Sequence, residues 1–79
     1  MPVHIKLSLL LQKYVPNYNE DVGIVVANAQ GRTIRELIVE VGMPPEQVFT
    51  VLVNHLPAQP NRVVKDGDTV TLARVLGAG

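Results

Sequence analysis

Apolar side chains fall at every second position near the start of the chain: Val3, Ile5, Leu7, Leu9 and Leu11, alternating with His4, Lys6, Ser8 and Leu10. A period of two marks a strand with one buried face, so this run predicts the first strand. The segment "QKYVPNYNED", with Pro16 and two asparagines, reads as a turn or loop. "VGIVVANA" is a second β-rich run, and the two runs are expected to form a hairpin.

The period then changes. In "GRTIRELIVEVGMPPEQ", Ile34, Leu37, Ile38 and Val41 stand at i, i+3, i+4 and i+7, which places them on one face of a helix. Thr33 and Glu36 have the spacing of a capping box. Gly42 suits the left-handed residue just past a helix end, and Pro44 and Pro45 block continuation. A helix of about ten residues follows from these signals. "VFTVLVNHL" predicts a third strand, "PAQPN" a rigid loop, and "RVV" a short edge strand. Asp66-Gly67 is a turn signal, after which Val70 and Leu72 alternate with Thr69 and Thr71 in a last strand.

One helix cannot cover both faces of such a sheet, so one face packs on the helix and the other stays at least partly open. The helix is also the route from the opening hairpin to the remaining strands. A connection of this kind crosses right-handed and sets the first and last strands side by side in parallel. The expected architecture is α+β, a β-grasp with a mixed four- to five-stranded sheet on one main helix. It launches the end of the chain from a central strand.

Size and composition narrow the picture. Seventy-nine residues suit one domain, residues 1–79, because a second core would be too small to offset chain entropy. The absence of cysteine removes disulfides and thiolate chemistry and makes a cytoplasmic location the expectation. Hydrophobic residues make up 47% and charged ones 18%, which favours a folded globule over a disordered segment. One Phe, two Tyr and no Trp leave the core to aliphatic side chains. Seven basic residues balance seven acidic ones, so the positive field that nucleic-acid binding requires is lacking. "KLSLLLQKY" is too short for a secretory signal and no small-residue cleavage site follows. No stretch approaches the ~20 apolar residues of a membrane span.

The chemistry-bearing residues do not assemble into an active site on paper. His4 and Ser8 share a strand face, read as solvent-facing, but stand roughly 13 Å apart along it, too far for a nucleophile–base pair. His55, beside Asn54 at the end of the third strand, reads as a loop-side donor. Two histidines without cysteine partners make a weak case for zinc, and no metal site is expected. Glu20 with Asp21 and Asp66 with Asp68 fall in predicted turns, where solvation leaves neither pair suited to general acid–base work. No phosphate-binding glycine loop or zinc-protease motif is present.

The ending differs. In "RVLGAG" the side chains shrink to almost nothing after a bulky aliphatic strand. Residues 75–79 are expected to form a flexible tail that can thread a narrow channel and present the Gly79 carboxylate at its tip. A carboxylate is a poor acyl donor until it is converted to a mixed anhydride such as an acyl adenylate. Taken alone, the tail is read more simply as a frayed terminus, where small residues gather.

"GRTIRELIVEVGMPPEQVFTVLVN" and "VVKDGDTVTLARVLGAG" resemble the ubiquitin-like sulfur-carrier family, the ThiS and MoaD proteins of thiamine and molybdopterin synthesis. The similarity runs in order through the first strand, the capped helix, the strand ending in Val53-Asn54, the Asp66-Gly67-Asp68 turn, the last strand and the small-residue terminus. The resemblance implies a protein co-substrate, not an enzyme. An ATP-using activating enzyme adenylates the terminal glycine, a sulfur donor displaces AMP, and the thiocarboxylate gives its sulfur to a cofactor precursor of the molybdopterin, tungstopterin or thiamine type.

Carried over, Gly79 is the reactive residue, Gly77, Ala78 and Gly79 form the threading arm, and Arg74, Val75 and Leu76 form its root at the partner surface. The implied partners are the activating enzyme and a sulfur-accepting synthase subunit, with no cofactor bound by the chain itself. It is expected to be monomeric when free, although an aliphatic patch including Leu10 could serve a partner or a second copy. One departure stands out: the family ends in Gly-Gly, whereas Ala78 is penultimate here. Two other readings stay open, a non-catalytic interaction module of the same fold and a modifier that joins its terminus to lysines on targets.

Overall fold

The computed structural model describes residues 1–74. Strand β1, Val3–Leu7, pairs antiparallel with β2, Ile24–Val26, with Val3 opposite Val26 and Ile5 opposite Ile24. Helix α1, Ile34–Glu40, leads to β3, Thr50–Val53, then β4, Leu56–Pro57, and finally β5, Thr69–Ala73. The five strands lie in the order β2-β1-β5-β3-β4. β1 and β5 run parallel at the centre, and the other pairings are antiparallel, as a β-grasp requires.

Strand alternation sets the two faces. Val3, Ile5 and Leu7 of β1, Val51 and Val53 of β3, and Val70 and Leu72 of β5 are buried against Ile34, Leu37 and Ile38 of α1. The alternate positions are half-exposed, including Lys6, Leu52, Thr69 and Thr71, so the face away from the helix is partly open. No side chain in this core is polar or charged.

Both helix ends follow their local sequence. The Thr33 hydroxyl accepts from the Glu36 amide at 3.2 Å, and the Glu36 carboxylate accepts from the Thr33 amide at 2.9 Å, closing the capping box. Beyond the last turn Gly42 takes φ 89°, which glycine adopts at little cost. The Gly42 amide donates to Val39 and the Met43 amide to Ile38, a Schellman arrangement with Met43 and Ile38 both buried. Val41, expected on the apolar face, is half-buried at the C-cap.

Three expectations are corrected. The first strand stops at Leu7, and Leu9–Tyr14 form a 3-10 helix. The registered pairing with β2 ends at Ile5 opposite Ile24. The Leu7 amide then donates to the Tyr18 hydroxyl at 2.8 Å, and the Leu11 amide to the Ser8 carbonyl at 3.0 Å, which turns the chain. Leu11 still reaches the core, but Leu9 is 78% exposed, the reverse of its strand parity. Ser8, expected to face solvent, has a buried hydroxyl with no hydrogen-bond partner.

The edge strand is Leu56–Pro57, not Arg62-Val63-Val64. Asn54 and His55 both have positive φ, at 51° and 71°, the pattern of a two-residue type I′ hairpin turn. That turn folds Leu56 back opposite Val53 and draws Pro57 out of the expected loop. Val63 makes a single antiparallel bridge to Thr33. The Val64 amide donates to Arg32 while its carbonyl accepts from Gly31, so this stretch braces the start of α1.

Two predictions test this architecture. Leu37→Ala should lower stability by about 2 to 5 kcal/mol in denaturant titration, through lost burial and a residual cavity. The Glu36 carboxyl is held below its ordinary pKa, chiefly by the hydrogen bond from the Thr33 backbone and then by that from its side chain. A depressed folded-state pKa adds stability above the unfolded pKa, which is lost as pH falls through the folded one. The melting temperature of wild type should therefore decline more steeply than that of Glu36→Gln as pH falls through and below the normal carboxylate range.

Candidate functional site: the exit of the C-terminal strand

β5 is paired along both edges. His4 stands opposite Thr69 and Leu7 opposite Leu72 on one side, while Val53 stands opposite Val70 and Thr50 opposite Ala73 on the other. Its start is tied down by a polar cluster. The Asn54 side-chain amide donates to the Asp68 carboxylate at 3.0 Å, and the Asn54 side-chain oxygen accepts from the Thr69 amide at 2.9 Å. Asp68 also accepts from the Lys65 amide at 3.0 Å, closing the turn.

The other end of β5 is the exit. The Ser8 amide donates to Leu72 and the Phe49 amide to Ala73, each at 3.0 Å, so the central strand is held on both sides up to its final residue. Here β1 gives way to the 3-10 helix, and β3 begins at Thr50. Arg74 follows, its guanidinium 5.7 Å from the centre of the Phe49 ring in a cation–π arrangement. Arg74 is half-buried and has no acidic side chain within ion-pair distance among the described residues.

Of the predicted site residues the structure therefore places Arg74, at the end of the central strand. Val75, Leu76, Gly77, Ala78 and Gly79 lie outside the described residues. Sequence reasoning passed over Phe49, which it treated only as part of a strand. The signal was the β3–β5 register, which sets Phe49 across from Arg74 and is not visible in either segment alone.

The remaining candidates stay dispersed. The His4 ring Nδ1 lies 2.8 Å from the Val22 carbonyl, whereas the Ser8 hydroxyl is unpartnered, so the two do not bond to each other. Asp66 faces the N-terminal ammonium at 3.9 Å, and Glu20 and Asp21 offer backbone carbonyls to the Lys6 ammonium. His55 is exposed on the hairpin turn. Among the described residues no group of three or more His, Cys, Asp and Glu could hold a metal ion, and no helix is long and apolar enough to cross a membrane.

A mixed sheet whose first and last strands run parallel at its centre, with one capped helix across one face, defines a ubiquitin-like domain. Comparison with protein families gives the same class and narrows it. The family model described as Mut7-C ubiquitin matches residues 1–75, and the chain belongs to that family. No curated protein and no solved structure matches the chain. The family match takes in the whole scaffold and Arg74, and ends before Leu76.

Proposed function

We propose that this ubiquitin-like domain is a sulfur carrier of the ThiS and MoaD type, acting as co-substrate of an ATP-dependent activating enzyme. The observation that carries the reading is the exit of β5: a strand anchored along both edges leads through Arg74 directly into Val-Leu-Gly-Ala-Gly. A rigid base with a slender extension suits a group that must enter another protein's active site. Ubiquitin-like family membership supports the same reading at the level of fold.

The chemistry falls on one group. The Gly79 carboxylate attacks the α-phosphorus of ATP, forming an acyl–phosphate bond and releasing pyrophosphate. A sulfide equivalent then attacks the acyl carbon, AMP leaves, and the carbon–sulfur bond of a thiocarboxylate remains. The thiocarboxylate sulfur is the nucleophile toward a cofactor precursor held by a synthase subunit. ATP and both active sites belong to the partners. The carrier contributes reach, recognition at Arg74, Val75 and Leu76, and the narrow profile of Gly77 and Ala78.

Incubation with ATP, the activating enzyme and sulfide, followed by intact-mass measurement, tests the reading. The expected result is a gain equal to one sulfur-for-oxygen exchange on wild type and none after deletion of Gly79, with the fold unchanged by circular dichroism. Adducts on other proteins would instead establish a modifier, and an unchanged mass with tight partner binding an interaction module. Ala78→Gly should preserve or increase loading, because it removes a methyl and the roughly 1 kcal/mol or more that alanine incurs at positive φ. Weaker loading of that variant would mean that the methyl is itself recognised.

A further inference from the structure

We infer that a groove between α1 and the 3-10 turn Pro45–Gln47 docks an extended segment of a partner protein, one in which an aliphatic or aromatic side chain lies between an acidic residue and a basic one. The inference goes beyond the carrier reading and does not depend on it. The groove has a volume of about 420 Å³ and is lined by Arg35, Ile38, Pro45, Glu46, Val48 and Pro60. That volume lies within the ~300–1,000 Å³ of ligand sites.

The fold itself holds the walls. The Arg35 amide donates to the Pro60 carbonyl at 2.9 Å and the Val48 amide to the Pro45 carbonyl at 3.1 Å, so a backbone bond fixes each proline. Ile38 belongs to the core and Val48 is half-buried against it, which makes the floor apolar. A segment entering this groove finds it already shaped and incurs little cost of ordering on this side.

Charge narrows what the groove accepts. Arg35 and Glu46 are both exposed, and among the described residues no ion pair or hydrogen bond engages either side chain. The other charges of α1 and its entrance are committed: the Arg32 guanidinium to the Glu40 carboxylate at 2.7 Å, and Glu36 to the Thr33 cap. A free cation and a free anion beside one apolar floor match a ligand that carries both signs around an apolar body. In small-molecule sites the orienting polar groups converge inside the cavity. Here the charges stand at the rim and the centre is apolar, which is the layout of a protein interface. A second copy of the chain meeting groove to groove would pair Arg35 with Glu46 twice, but it would leave two concave floors unfilled. A convex segment fills the floor and pairs both charges.

The probe is a library of short random peptides displayed on phage and panned against the folded chain, the enriched sequences then being synthesised with blocked termini. They should carry an apolar residue flanked by an acid and a base, and they should shift the amide resonances of Arg35, Ile38, Glu46 and Val48. Arg35→Glu and Glu46→Arg should each weaken binding about tenfold while melting as wild type does, since both positions are exposed. The double variant Arg35→Glu/Glu46→Arg should regain affinity for a peptide whose acid and base have been exchanged, a rescue that loss of structure cannot imitate. Val39→Ser, on α1 but outside the groove, should change nothing. No enrichment, enriched sequences without both charges, or shifts confined to other surfaces would overturn the site. So would competition by free leucine as strong as by the peptide, or a wild-type dimer in sedimentation equilibrium that Arg35→Glu dissociates. Each of these failures leaves sulfur loading, read by intact mass, untouched.

Discussion

The parallel pairing of β1 with β5 is the constraint on which the rest of this molecule depends. The two strands lie far apart in sequence and become neighbours only through the connection that contains α1. Their ladder then fills the middle of the sheet, with the His4 amide bonded to Asp68 and the Ser8 amide to Leu72. Because the buried positions of both strands face the same helix, one set of aliphatic contacts joins the sheet, the helix and both strand ends. Moving β5 by one residue would turn Val70 and Leu72 out of the core and Thr69 and Thr71 into it. The register, and hence the position of Ala73 at the end of β5, is set by burial.

A domain this small has little core to spare, and local devices hold its segments in position. The capping box and the Schellman turn fix both ends of a helix only two turns long. Tyr18 meets the Leu7 amide where β2 no longer pairs, and Gln12 donates to the Leu7 carbonyl, so the end of β1 is satisfied without a longer strand. Gly23 has φ 74° and lies so close to β1 that a Cβ there would stand 2.5 Å from the Ile5 carbonyl oxygen. Any other residue would push the hairpin apart. Most of these contacts lie at element ends, which is where β5 must be held if its exit is to point in one direction.

The parts legible in the sequence are those whose causes are local. Thr33, Glu36 and Gly42 mark the helix ends because each interaction spans only a few residues, and Asp66-Gly67 marks the turn before β5 for the same reason. Alternation misled at Leu9 and Leu11. A 3-10 helix can also bury one member of such a run, and what ends the strand is Tyr18, eleven residues beyond Leu7. β4 was missed because Asn54-His55 lacks the glycine that usually announces a two-residue hairpin, although asparagine accepts positive φ. Val63 and Val64 have strand composition but spend it on the helix entrance. The small-residue ending is plain in the composition, whereas the placement of Leu9, Leu10 and Phe49 beside the end of β5 depends on two registers that no single segment encodes.

The described scaffold answers to burial and pairing, and the match over residues 1–75 follows that body. Val75 to Gly79 lie outside the described residues, and their composition, two glycines and an alanine at the end, sets them apart from the aliphatic strand before them. Under the carrier reading, Ala78 is then information about the partner. An extended backbone accommodates its methyl freely, while a left-handed turn at that position would be costly. Ala78 thus separates two kinds of channel, one that takes an extended backbone with room for a methyl and one that admits only glycine. A base clamped along both edges makes such a channel workable, because with β5 fixed at Ala73 the conformational cost of entry is confined to the few residues beyond it.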